Sequence, residues 1–151
     1  MKLELESASN FIVHLIRMNQ KNNIGEGKLF KFGKCLINEL KIRYRDHWFP
    51  EKPQKGSGYR CIRCYDKLDP FIIRAGEACG LSAVFLKETF PEFMLWIDPK
   101  EVTYRFGENG PICVIFSHED LTPWTHKRTV KQKHQQDSFK WLKNITKTFK
   151  C

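Results

Sequence analysis

No stretch of this sequence approaches the roughly 20 consecutive apolar residues that a membrane-spanning helix needs. Its start also lacks the charged, apolar and small-residue blocks of a secretory signal. The chain is therefore expected in the cytoplasm and nucleus, with reduced cysteines and with no glycan on the sequon Asn144-Ile145-Thr146. A phosphate-cradling loop is missing too, because Gly25-Glu26-Gly27 has neither a preceding strand nor the rest of the pattern. Cys61-Ile62-Arg63-Cys64 has the spacing of half a zinc site, but no second matching pair supplies the other two ligands. On a strand, moreover, side chains three apart face opposite sides. His14 and His47 have no serine, cysteine or carboxylate at a recognisable motif distance, and Glu88, Glu92 and Asp98 are ordinary acids by spacing. The expectation is a protein without catalysis, metal, cofactor or membrane contact.

What is present suits one compact domain. The 151 residues are 41% apolar, with twelve Phe and four Trp, enough to avoid global disorder. A domain of this size buries about two-thirds of its unfolded surface, so it needs no disulfide or metal to fold. The net charge of +9 is unevenly spread. From His118 onward eight basic residues stand against three acidic ones, which places more than half of the excess in a short tail. The expected division is a folded domain over residues 1–117 and a basic tail over 118–151.

Apolar periodicity predicts the elements. Phe11, Ile12, Leu15, Ile16 and Met18 make a stripe on a helix over residues 7–19. Leu29, Phe32, Leu36 and Leu40 mark a second over 28–45, antiparallel to the first across the turn formers at 22–27. Residues 49–58 hold two prolines and two glycines and form a loop, and residues 59–65 read as a strand. Asp69-Pro70 opens a short helix that stops at Gly80, and Ser82 caps another that ends at Pro91. Residues 93–97 are an apolar strand. Residues 101–106 alternate at period two, and 107–110 turn the chain into a last strand over 111–116. This order predicts an α+β domain, with an N-terminal helical pair and further short helices around a small, largely antiparallel sheet. The tail reads as polar and basic, helical over 137–149.

Two runs stand out as candidate surfaces. Residues 48–58 combine Trp48 and Phe49 with two prolines and then deliver Tyr59 at a strand entrance. Aromatics at a rigid loop edge are typical interface anchors, and the rival reading has Trp48 and Phe49 plugging the core. In the strand at 93–97, Leu95 and Ile97 share one face, the natural core face, which turns Trp96 outward beside Asp98.

The same runs carry a resemblance. Residues 44–63, YRDHWFPEKPQKGSGYRCIR, resemble box A of the BTG/Tob antiproliferative family, and 95–108, LWIDPKEVTYRFGE, resemble box B. With the two helices in front, the resemblance extends from the N-terminus to about Phe116. It implies an adaptor that binds the deadenylase subunit of the Ccr–Not complex, shortens poly(A) tails and restrains proliferation. The implied contacts are Tyr59, Trp96 and Asp98. Residues 111–115 partly resemble box C of the short members. They imply a second partner, poly(A)-binding protein, on a surface of His47, Glu108, Ile112 and Val114, although Asn109 and Pro111 depart from the pattern. Lys100 stands where relatives commonly have an aromatic. The alternative is direct RNA binding by the tail, where Trp124, Phe139, Trp141 and Phe149 lie among lysines and suit base stacking.

Overall fold

The computed structural model describes residues 1–18 and 24–121. The tail helix expected over 137–149, the aromatics from Trp124 to Phe149 and residues 22–23 of the turn expected over 22–27 lie outside them.

Helix α1 runs over Lys2–Met18 and α2 over Glu26–Tyr44. The first begins five residues earlier than its central stripe predicts. Leu5 and Ala8 extend the stripe and are both fully buried, and the Glu4 carboxylate accepts the N–H of Lys100 (3.0 Å), 96 residues on in sequence. The two helices meet closely at Gly33, whose carbonyl accepts the Ser9 hydroxyl (3.0 Å). A Cβ there would stand 3.1 Å from that oxygen.

Helix α3 (Pro70–Glu77) starts as predicted: the Asp69 carboxylate accepts the Phe71 N–H (3.0 Å) and proline sits in the first turn. It ends in a reversal at Gly80 (φ 70°), where the Leu81 N–H reaches back to the Gly76 carbonyl (2.9 Å). Helix α4 (Ala83–Thr89) is capped by Ser82, whose hydroxyl accepts the Phe85 N–H (3.2 Å). Asp69 also pairs with Arg43 of α2 (3.1 Å), and Glu39 with Arg74 (2.7 Å), tying α3 to α2.

Four strands, β1 (Cys61–Cys64), β2 (Phe93–Asp98), β3 (Glu101–Phe106) and β4 (Cys113–Ser117), form an antiparallel sheet in the order β1-β2-β3-β4. Ile62, Cys64, Phe93, Leu95, Ile97, Val102, Tyr104 and Phe106 face the helices and join their apolar stripes in one core. Helix α1 lies against β2, β3 and β4. The two-residue turn Pro99–Lys100 puts Lys100 in the left-handed region (φ 73°), held by its N–H to Glu4 and by its carbonyl, which accepts the His118 N–H (2.8 Å).

Two strand starts differ from expectation. The first strand begins at Cys61, not at residue 59, because Ser57–Arg60 form a 3₁₀ turn that rolls the Arg60 side chain inward. The last begins at Cys113, since Pro111 has no N–H for the ladder. A bulge at Ile115 of β4, opposite Val102 and Thr103, shifts the β3–β4 register, so that Val102 pairs with Phe116 and Thr103 with Val114. No described helix is long and apolar enough to cross a membrane.

Candidate protein-docking site

The loop after α2 is a chain of turns, with the Lys52 N–H on the Phe49 carbonyl (3.0 Å) and the Lys55 N–H on the Lys52 carbonyl (2.9 Å), and other carbonyls of the loop are left for a side-chain donor. Its support is Arg60, a side chain 0% exposed. One guanidinium nitrogen donates to the carbonyls of His47 and Lys55, and another to Pro53. Nε donates to the Ile97 carbonyl (3.1 Å), and the group pairs with the Asp98 carboxylate (2.7 Å). The cation also lies over the Trp48 ring (5.6 Å), which in turn stacks on Tyr44 (6.3 Å). The Tyr44 hydroxyl donates to the Arg60 carbonyl (2.9 Å). Of the two readings of Trp48, the core plug is the one observed. Phe49 is half-buried under the Lys55 ammonium (4.4 Å).

Sequence alone does not mark Arg60, because an arginine in an amphipathic run reads as surface. A signal was available: a Pro- and Gly-rich loop leaves carbonyls in need of donors, and guanidinium offers five in a fixed fork.

With the loop latched, Tyr59 is thrown outward, 60% exposed. The His47 ring stacks on it at 4.0 Å and 6°. Trp96 lies half-buried on the sheet face opposite the core, paired in register with Cys61 on one side and Thr103 on the other. Thr103 pairs with Val114, so Cys61, Trp96, Thr103 and Val114 form one outward row. Val114 is thus two strands from Trp96, about 10 Å at ordinary strand spacing. Beside this row the Arg105 guanidinium lies 5.7 Å from the Trp96 ring and donates to the Met94 sulfur (3.4 Å), covering Met94 from outside.

Asp98 is less free than its position suggests. One carboxylate oxygen is held by Arg60 and the other accepts the Ser57 hydroxyl (2.9 Å), with the side chain 17% exposed. It therefore fixes the loop to the strand end as well as edging the surface. Glu108 and Ile112 (63% exposed) lie in the β3–β4 hairpin, at the end of the sheet away from Asp98 and the box A loop. So His47 joins Tyr59, Val114 joins the Trp96 row, and Glu108 and Ile112 stand apart from both.

Cys61 and Cys64 fall on opposite faces of β1, which rules them out as a chelating pair. Burial pushes their thiols up, to about 11 and about 12. No cluster of potential metal ligands occurs among the described residues.

This arrangement has relatives. Over 114 residues the chain is 45% identical to protein BTG2 of Rattus norvegicus, covering 75% of this chain and 71% of BTG2. It is 46% identical to protein BTG1 of Gallus gallus, covering 75% of this chain and 66% of BTG1. Against protein Tob1 of Homo sapiens it is 40% identical over 117 residues, covering 77% of this chain but a third (33%) of Tob1. The solved BTG/Tob domain of C. elegans FOG-3 matches with a TM-score of 0.68 and covers 78% of this chain and 90% of that one. At 21% identity that likeness concerns the fold alone. Residues 1–116, which hold both aromatic runs and the latch between them, match the BTG family as a whole. By the extent of that match and the identity to its relatives, the chain belongs to the BTG family.

Proposed function

We propose that this protein is an antiproliferative adaptor that binds the deadenylase subunit of the Ccr–Not complex and so promotes poly(A) shortening and translational repression. The observation that carries the reading is the outward placement of Trp96, rigid on β2, paired with Cys61 two residues after exposed Tyr59 and followed two residues on by Asp98. Aromatic side chains on a rigid element, ringed by polar groups, are what binding hot spots consist of. Membership in a family of regulators supports an adaptor rather than an enzyme. Poly(A)-binding protein remains a second proposed partner for the surface that includes Val114, adjoining the first.

Calorimetric titration of the deadenylase subunit tests this. Wild type is expected to bind, and Trp96→Ala to weaken binding by about 2–4 kcal/mol. The melting temperature should hold, because Trp96 lies outside the core cluster. Wild type that fails to bind, or a variant that unfolds as affinity falls, sinks the assignment. Incubated by itself with poly(A) RNA and magnesium, the purified chain is expected to leave the RNA intact, and cleavage that a point mutation in this chain abolishes would end the adaptor reading.

A further inference from the structure

Two thiols outside the docking surface lie face to face. Cys35, half-buried on α2, and Cys79, buried in the turn between α3 and Gly80, have their sulfurs 3.7 Å apart. Both are free. The turn is fixed by the Cys79 N–H on the Gly76 carbonyl (2.8 Å) and the Gly80 N–H on the Glu77 carbonyl (3.0 Å), so Cys79 has little freedom to drift. The gap exceeds a disulfide bond of about 2.0 Å by about 1.7 Å, a distance that two χ1 torsions cover. The other buried cysteines have no such partner, since Cys61 and Cys64 point to opposite faces of β1.

Electrostatics divide the roles. Burial raises the Cys79 thiol, and Cys35 beside it raises it further, while Lys31 and Lys28 pull the other way. Cys35, half-buried where Cys79 is buried, is the more open sulfur and therefore the one an oxidant meets first.

We propose that Cys35 and Cys79 are a reversible redox pair, a dithiol that peroxide converts to a disulfide joining α2 to the end of α3. The Cys35 thiolate attacks one peroxide oxygen, the O–O bond breaks, and hydroxide leaves as the sulfenic acid forms. The Cys79 sulfur then attacks that sulfenic sulfur and expels its oxygen as water. Overall two thiols are oxidised by two electrons, one hydrogen peroxide is reduced, and two waters are released. A thiol reductant such as glutathione reverses the bond through a mixed disulfide. The ring of chain so closed, residues 35–79, contains the whole of the latched loop and Tyr59. Oxidation constrains the unfolded chain across the segment that carries Tyr59 and the loop behind it.

The test uses the full chain carrying Cys113→Ser and Cys151→Ser, reduced and then exposed to hydrogen peroxide. The expected product is monomeric, lighter by two hydrogens, and yields one Cys35–Cys79 crosslinked peptide. Cys61 and Cys64 should remain alkylatable after unfolding. The melting temperature should rise by on the order of 10 °C and return on reduction. Adding Cys35→Ser should abolish both changes, and Cys79→Ser provides the matching control. Recovery of Cys35 and Cys79 as sulfinic acids, a crosslink that forms equally in urea, or oxidation with no change in melting temperature would overturn the proposal.

Discussion

Arg60 shows how one side chain decides a surface. Its guanidinium is fully buried, yet its donors meet four carbonyls and one carboxylate. Removing one partner of such a network leaves the others desolvated and unpaired. Arg60→Met is therefore expected to destabilise the domain by about 3–5 kcal/mol, measured by urea unfolding. An unchanged midpoint would mean that the loop is held by something else. His14 offers a pH test. Burial, and next the nearby Arg17 charge, hold its imidazole below the ordinary 6.5. The unfolded chain then takes up a proton near 6.5 that the folded one resists, so stability is lost as pH falls from 6.5 toward the lowered value. His14→Gln should flatten that part of the melting-temperature profile, and a profile unaltered by the substitution would refute this origin.

At the scale of elements, boundaries followed local chemistry where a cap or a proline set them. Asp69, Pro70 and Ser82 open α3 and α4 where the sequence puts them, because their interactions span at most three residues. The start of α1 and the start of β1 depart from the local pattern for the opposite reason. One depends on Leu5 reaching a core built from the whole chain, the other on Arg60 finding acceptors as far away as Ile97. The crossing of α3 and α4 is equally non-local. A Cβ on Gly76 would stand 2.4 Å from Leu86 Cδ1, and Leu86 is fully buried. Gly76→Ala is accordingly expected to cost about 1–3 kcal/mol through overpacking, despite alanine's better helix propensity. A melting temperature equal to or above that of wild type would show that Leu86 repacks freely.

For the whole molecule, the sheet separates two tasks: one face builds the core with α1, and the other presents Trp96. Tyr59, Trp96 and Asp98 all precede the basic tail, so a chain ending at Thr122 is expected to bind the deadenylase as wild type does. The same truncation tests the RNA alternative, since phosphate contacts would show as affinity falling steeply with salt. Little RNA binding by the full chain and a modest loss of stability on truncation are expected. Tight, salt-sensitive binding that disappears with the tail would favour the alternative. By itself the sequence determined the α+β class, the helix caps, the strands at 93–97 and 101–106, the outward side of Trp96 and the family likeness. Each of these follows from periodicity, short-range bonding or a contiguous motif. Only the tertiary structure decided that Arg60 is buried, that Asp98 is half-consumed in holding it, that His47 stacks on Tyr59, and that Cys35 meets Cys79. Those are contacts between residues far apart in sequence, and no local pattern encodes them, because they exist only once the chain has closed around its core.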